Sequence, residues 1–224
     1  MLKSLKEINQ FLNSKTPNSF WVIQKYIERP LLYNGRKFDI RVWAIFTGTD
    51  EVFVYKKAYV RTSSDIYDLA NHNNYVHLTN QCLQVHGENY GKHEEGNTLP
   101  LHALDEYFKE KFPNYDITVE KDIKPRIKDL IIDTFLCYRK QLNPNRRKHV
   151  FELYGYDFLI DEDFRTWLIE VNTNPYLGTP NKYMEELVPQ MVDDMLEIVL
   201  DPLLPPKSKP PKGNTLNKIF QIDR

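Results

Sequence analysis

Two apolar runs near the end of the chain decide the fold: FELYGYDFLI at residues 151–160 and TWLIEVN at residues 166–172. A short acidic turn lies between them. Runs of this length, rich in aromatic and β-branched residues and joined by a polar turn, predict a β-hairpin. Asp157 is on the first predicted strand, whereas Glu170 and Asn172, two residues apart, point to one face of the second. Three oxygen donors are therefore expected to converge.

These donors suit a metal ion bound together with a nucleotide. Mg²⁺ is typically held by one or two carboxylates and by nucleotide phosphates, and an Asn carbonyl adds a ligand without adding charge. An unpaired charge buried within such apolar runs is costly, and a bound cation would relieve that cost. Asp157, Glu170 and Asn172 are therefore predicted metal ligands. The alternative is that both carboxylates are solvated positions on a half-exposed hairpin.

Three strand-like runs precede the hairpin, at residues 20–27, 37–46 and 51–60, and they predict an antiparallel meander. Within the second run, Lys37, Asp39 and Arg41 share one face, while apolar residues occupy the other. The guanidinium fork of arginine matches phosphate oxygens, which favours an anion-binding face. The alternative is a solvated ladder of surface ion pairs.

Helical spacing of apolar residues predicts four helices, near residues 4–12, 103–112, 122–142 and 181–200. Residues 63–101 form a long polar stretch, which indicates a functional loop. We divide the chain into a first helix with its linker (residues 1–19), a folded domain (20–204) and a flexible tail rich in proline and lysine (205–224).

Composition excludes several classes of protein. The chain has 224 residues, of which 41% are hydrophobic, and 30 Lys and Arg residues nearly balance 31 Asp and Glu residues. A basic field for nucleic acid is absent, and no apolar run is long enough for a membrane span. Cys82 and Cys137 lack disulfide or zinc spacing, and we expect buried, reduced thiols. We therefore expect a cytoplasmic protein with neither nucleic acid nor membrane as a partner.

Four motifs resemble, in order, those of the tubulin tyrosine ligase family: QKYI at residues 24–27, GRKFDIR at 35–41, HLTN at 77–80 and EVN at 170–172. The resemblance covers residues 20–204. It implies an α+β, ATP-grasp-like fold, in which an antiparallel sheet is flanked by helices. Residues 89–97 are further similar to the branch that adds tyrosine rather than to the glutamylases and glycylases.

The resemblance also implies roles for individual residues, with ATP and Mg²⁺ as cofactors. The nucleotide-binding residues would be Gln24, Lys25, Tyr26 and Ile27 of a hinge strand, together with Lys37 and Asp39. Arg41 and Arg61 would neutralise the transferred phosphate, as cations do in phosphoryl transfer. Thr79 and Asn80 would line the pocket for the amino acid.

By this resemblance the chain would be an ATP-dependent ligase that adds a free amino acid, tyrosine or else glutamate, to the acidic C-terminal tail of tubulin through an acyl phosphate. Such an enzyme would associate with microtubules or cilia. Basic clusters at residues 56–57, 146–148 and 207–212 offer contacts for an acidic tail.

One feature departs from the family pattern. Residues 1–19 contain no glycine, whereas the glycine-rich phosphate loop of an ATP-grasp enzyme lies ahead of the hinge strand. We therefore expect the N-terminal lobe to be largely missing from this chain. The alternative function is an inactive fragment or remnant that binds tubulin or nucleotide.

Overall fold

The computed structural model describes residue 2, residues 4–15 and 19–205, and the backbone of residues 216–221. Within these residues the chain forms eight β-strands and six α-helices. The strands are β1 (Leu32–Tyr33), β2 (Arg36–Thr47), β3 (Glu51–Tyr55), β4 (Tyr59–Ile66), β5 (Thr98–Pro100), β6 (Phe151–Ile160), β7 (Thr166–Asn172) and β8 (Leu216–Gln221). The helices are α1 (Leu5–Asn13), α2 (Asn74–His77), α3 (Gln81–Gln84), α4 (Ala103–Lys111), α5 (Lys124–Leu142) and α6 (Lys182–Val199).

The strands form one antiparallel sheet built around the long strand β2. Along one edge β2 pairs with β1 and then β6, and along the other edge it pairs with β4 and then β3. Strand β5 extends the sheet beyond β4, β7 extends it beyond β6, and β8 extends it beyond β3. The hairpin predicted at residues 151–160 and 166–172 is confirmed as β6 and β7.

Strand alternation divides the core between the two faces of the sheet. The even-numbered residues of β2, such as Ile40 and Val42, pack with apolar residues of α4 and α5, including Ile127. The odd-numbered residues Trp43 and Ile45 pack against α6 on the opposite face. Because the period of a strand is two, Lys37, Asp39 and Arg41 lie on the same face as Trp43. The charged part of β2 therefore continues directly from the core beneath α6.

The strand predicted at residues 20–27 is wrong. Residues 19–29 form no strand, and Phe20, Val22 and Ile23 are largely exposed. A strand needs a neighbour for its backbone hydrogen bonds, and none among the described residues pairs with this segment. Its apolar, β-prone side chains were therefore not sufficient to predict a strand.

The structure also bears on the predictions made for the polar stretch, the C-terminal tail and the cysteines. The polar stretch at residues 63–101 contains the end of β4, two short helices and β5. The predicted tail begins at residue 205, and residues 206–215 and 222–224 lie outside the described part, whereas residues 216–221 form a strand beside β3. Cys82 and Cys137 carry free thiols, but both are exposed, so the expectation of burial is wrong. Among the described residues, no helix combines the length and apolar character needed to cross a bilayer.

Candidate functional site

A cleft of about 670 Å³ opens over the charged part of β2. Residues 24–29 form one wall, residues 77–80 form another, and the β6–β7 hairpin lies opposite. Lys37, Asp39 and Asp157 contribute to its lining. The structure therefore brings the four motif regions noted in the sequence to one place.

The floor of the cleft carries a row of alternating charges set by strand pairing. Asp39 is directly opposite Arg61 on β4, and Arg41 is directly opposite Asp157 on β6. Arg61 donates from Nε to Asp39 Oδ1 and from Nη2 to Asp39 Oδ2, both at 2.7 Å. Arg41 donates from Nη2 to Asp157 Oδ2 at 3.0 Å and also contacts Oδ1 through Nε. Arg61 Nη2 lies 2.9 Å from Asp157 Oδ2, which joins the two pairs.

All four side chains of this charged row are buried, and Asp157 is only 3% exposed. Two carboxylates balance two guanidinium groups, so the row carries no net charge. Burial alone would raise the pKa of Asp157, but the hydrogen bonds and charges of Arg41 and Arg61 outweigh it and hold the pKa below its usual value. Although burial opposes it, Asp39 raises the pKa of Arg61 above its ordinary value. Arg61 therefore remains a fixed cation.

The predicted metal ligands are neighbours at the edge of this row. Asp157 is directly opposite Glu170 across the β6–β7 pairing, and Asn172 is opposite Gly155. Asn172 Nδ2 lies 3.0 Å from Glu170 Oε1 and 3.5 Å from Asp157 Oδ2. The neutral amide group of Asn172 therefore lies within hydrogen-bond distance of both carboxylates. Glu170 is exposed and Asn172 half-buried, so ligand can reach them.

The donor set fits Mg²⁺ because carboxylate and amide oxygens are hard ligands. Asp157 is already engaged by two arginines, which leaves Glu170 and Asn172 as the more available groups. Among the described residues, no group of three or more His, Cys, Asp and Glu side chains is arranged to hold a metal ion. An all-protein metal cage is therefore not formed, and the assignment of these three residues stays a prediction that requires phosphate oxygens as further ligands.

Lys37 occupies the wall beside residues 24–29. Its Nζ donates to the Tyr26 hydroxyl at 3.1 Å and lies 4.5 Å from the centre of the Tyr26 ring. Burial lowers the pKa of Lys37 to about 8, although Asp39 partly opposes the shift. Burial, together with the hydroxyl of Tyr67, raises the pKa of Tyr26 above its ordinary value, so Tyr26 remains a neutral phenol.

The remaining predicted binding residues occupy different positions in the cleft. Gln24 donates to the backbone carbonyl of Ile169 on β7 at 3.2 Å, and Lys25 and Ile27 also line the cleft. Thr79 is buried, and its hydroxyl donates to Asp39. Thr79 therefore supports the charged row, whereas Asn80 is half-buried at the cleft wall.

Sequence reasoning assigned no role to two buried groups. Arg36 is only 1% exposed and pairs with Glu94, to which Nη1 donates at 2.8 Å. This ion pair holds residues 89–97 against β2. His77, 4% exposed, contacts Tyr26. Both Arg36 and His77 lie within quoted motifs, but their partners are distant in the sequence and no local pattern reveals them.

The domain has an antiparallel sheet with helices on both faces, and its charged cleft lies between the β6–β7 hairpin and residues 24–29. These features define an α+β, ATP-grasp-like domain. A family model described as "Tubulin-tyrosine ligase family" matches residues 1–210. The chain therefore belongs to the tubulin-tyrosine ligase family, as the sequence motifs predicted.

Several curated relatives are similar over most of this chain. Tubulin glycylase 3A of Drosophila melanogaster is 35% identical over 93% of the chain and 21% of its own length. Tubulin glycylase 3C of Tetrahymena thermophila is 38% identical over 88% of the chain and 19% of its own length. The tubulin monoglycylase TTLL3 of Homo sapiens is 36% identical over 82% of the chain and 24% of its own length. The chain thus spans about a fifth of the length of these relatives.

Proposed function

We propose that this chain forms the nucleotide- and metal-carrying part of an ATP-dependent ligase that joins an amino acid to a tubulin tail. The observation that carries the proposal is the buried charged row of Asp39, Arg61, Arg41 and Asp157 beneath an open cleft. Buried charges are retained at a cost in stability, and a functional role explains their position at a cavity floor.

Within this proposal Glu170 and Asn172, with Asp157 beside them, hold Mg²⁺ and the nucleotide phosphates. A bound Mg²⁺ would supply positive charge to the phosphate oxygens. Arg41 and Arg61 are held rigidly by their carboxylate partners, so they contribute preorganised positive charge without reorganising. The carboxylate of the acceptor would take the γ-phosphoryl group of ATP to give an acyl phosphate and ADP. The amine of the free amino acid would then displace phosphate to form the amide bond.

We propose glycine as the amino acid, because the three relatives described above are named as glycylases. Tyrosine, which residues 89–97 suggested, and glutamate have no support from those names. An assay that offers radiolabelled glycine, tyrosine and glutamate separately to tubulin, using a polypeptide that contains this chain, distinguishes the three. Preferential incorporation of tyrosine or glutamate would contradict the choice of glycine.

Tubulin is the proposed partner because the names of the relatives specify it and because its tail is acidic. The exposed basic residues 146–148 and Lys56 offer positive charge at the surface. Residues 207–212, the third basic cluster, lie outside the described residues. A cytoplasmic location in association with microtubules is part of the same proposal. The alternative is an inactive remnant that binds tubulin or nucleotide.

Calorimetric titration with Mg·ATP tests the nucleotide site. The full chain is compared with Glu170→Gln, which removes the accessible carboxylate, and with Glu152→Gln, which removes an exposed carboxylate from the same hairpin outside the cleft. We expect magnesium-dependent binding by the unaltered chain and by Glu152→Gln, and at least about tenfold weaker binding by Glu170→Gln, because an interaction with a charged group contributes about 1.5–3 kcal/mol.

Each result has a definite meaning. Equal affinity of both variants would contradict the metal role of Glu170. Absence of binding by the unaltered chain would contradict a nucleotide site in this chain and favour the remnant that binds tubulin only.

A further inference from the structure

Three side chains form a continuous hydrogen-bonded line along the cleft wall. Lys37 Nζ donates to the Tyr26 hydroxyl at 3.1 Å, and the Tyr26 hydroxyl lies 2.8 Å from His77 Nδ1. The second ring nitrogen of His77, Nε2, lies 2.6 Å from the backbone carbonyl of Asn71. The line thus runs from a cleft-lining amine to the backbone that precedes α2.

For a neutral His77, the carbonyl at the end of the line sets the direction of the hydrogen bonds within it. A carbonyl oxygen only accepts, so His77 Nε2 must carry a hydrogen. In neutral imidazole Nδ1 then accepts, which makes Tyr26 the donor to His77. The Tyr26 oxygen is left to accept from Lys37. Since Tyr26 stays a neutral phenol, its hydroxyl is able to donate to one neighbour and accept from the other.

His77 is placed to hold this geometry. Its side chain is buried, and its ring makes edge contacts with Tyr26 at 5.6 Å and with Tyr67 at 5.8 Å between ring centres. Tyr67 in turn donates to the backbone carbonyl of Glu28 at 2.8 Å. Residues 24–29 form no strand, so these side-chain contacts attach the cleft wall to the rest of the fold together with a backbone hydrogen bond from Glu162 N to Arg29 O.

We infer that His77 is a positioning residue, which fixes the Tyr26 hydroxyl and, through it, directs the Lys37 amino group toward an anionic ligand in the cleft. The inference rests on the proposed function for its ligand, a nucleotide. His77 does not itself contact the reacting atoms in this assignment. The line connects a short helix outside the main sheet, through Tyr26, to a cation in the cleft.

Several titratable groups surround Lys37. Asp39 is next to it on the same face of β2, Tyr26 covers it from residues 24–29, and His77 approaches from α2. Asp157 lines the floor of the cleft, and Glu170 lines the opposite wall. Asp39 is committed to Arg61, so Tyr26 is the neighbour that accepts a hydrogen bond from Lys37 in the structure.

The test compares four forms of the full chain: unaltered, Tyr26→Phe, His77→Leu and His77→Gln. Phenylalanine keeps the ring but removes the hydroxyl. Leucine removes both ring nitrogens, whereas glutamine retains one acceptor and one donor. Two quantities are measured: the titration of the Lys37 side chain by NMR without nucleotide, and the affinity for Mg·ATP between pH 7 and pH 9. Circular dichroism verifies that each variant is folded.

In the unaltered chain the Lys37 resonance should titrate with a pKa of about 8, and the affinity for Mg·ATP should fall as pH rises through that value, because the ammonium loses its charge. Tyr26→Phe should shift the Lys37 titration to lower pH and weaken binding at pH 7 about tenfold, since the acceptor for the charged amino group is lost. His77→Leu should change both quantities in the same direction, since the Tyr26 hydroxyl loses the partner that fixes its position. His77→Gln should retain affinity within about threefold.

An unchanged Lys37 titration in folded His77→Leu would overturn the inference, whether or not the chain binds nucleotide. Nucleotide binding that is absent from the unaltered chain, with the expected Lys37 shifts present, would instead contradict the proposed function while supporting the positioning of Lys37 by His77. Equal losses in His77→Leu and His77→Gln would show that bulk packing, and not hydrogen bonding, is the role of His77.

Discussion

Replacement of Asp157 by asparagine tests the energetic role of the buried charged row. Asp157 accepts hydrogen bonds from Arg41 and makes an ion pair with Arg61, and it is 3% exposed. Asparagine has nearly the same shape but no charge, so Asp39 would be left as the carboxylate partner of two buried guanidinium groups. Breaking a buried pair in this way costs about 3–5 kcal/mol.

A domain of ordinary stability has only about 5–15 kcal/mol to lose. For a chain of this length each kcal/mol corresponds to about 2–4 °C, so Asp157→Asn should lower the melting temperature by about 6–20 °C. Differential scanning calorimetry at neutral pH measures the change. Asp163→Asn is the matched control, because Asp163 makes a 3.4 Å pair with Arg165 in which both side chains are at least half exposed. It should cost less than about 1 kcal/mol.

The pH dependence supplies an independent check. The folded-state pKa of Asp157 is below its usual value, so its stabilising contribution is fully present above the unfolded pKa of about 4 and is lost as pH falls through the folded pKa. The difference in stability between the unaltered chain and Asp157→Asn should therefore shrink below about pH 4. If Asp157→Asn melted within a degree of Asp163→Asn at neutral pH, the ionic account of the cleft floor would be refuted.

Three further changes probe other parts of the site. Lys37→Met should raise the free energy of unfolding at pH 7 by up to about 3 kcal/mol, because burial lowers the pKa of Lys37 from 10.5 to about 8. Urea denaturation should show this gain in stability shrinking as pH rises from 8 toward 10.5. No gain at pH 7 would contradict a buried ammonium. Glu94→Gln should lower the free energy of unfolding, measured by urea denaturation, by about 3–5 kcal/mol, because Arg36 is left without its carboxylate partner. Replacement of the exposed Glu95 by glutamine should have little effect. Equal effects of the two changes would be inconsistent with the Arg36–Glu94 pair. Gly35→Ala should cost about 1–2 kcal/mol by the same assay, since Gly35 has a φ of +76°, and a neutral effect would show that the turn relaxes.

Local sequence pattern was sufficient to predict an element whose strands and turn are all specified by its own residues. The β6–β7 hairpin has two long β-prone runs and a polar turn, and its predicted bounds match the structure. Alternation within each strand also placed Asp157, Glu170 and Asn172 on one face. These inferences need only the two-residue period of a strand and a turn that reverses the chain.

Sequence pattern failed where the partner of a residue lies far along the chain. Arg41 and Asp157 are 116 residues apart, and they meet only because β6 pairs with β2. The motif analysis assigned Arg41 to phosphate and Asp157 to metal without predicting that each would be the other's partner. The strand predicted at residues 20–27 failed for the same reason, since strand formation depends on a neighbour that composition cannot specify.

The pairing of these charges has a consequence for how an anion would enter the cleft. Arg41 and Arg61 are neutralised by Asp157 and Asp39, so they orient charge but attract an incoming phosphate less strongly than two unpaired cations would. Among the described residues of the cleft, Lys37 is a buried cation without a carboxylate at ion-pair distance, and Glu170 is an exposed carboxylate suited to bring a metal ion. Electrostatic attraction would therefore be divided between a directly acting lysine and a metal on the opposite wall. On this account Lys37→Met should weaken nucleotide binding with and without Mg²⁺, whereas Glu170→Gln should affect only the magnesium-dependent part.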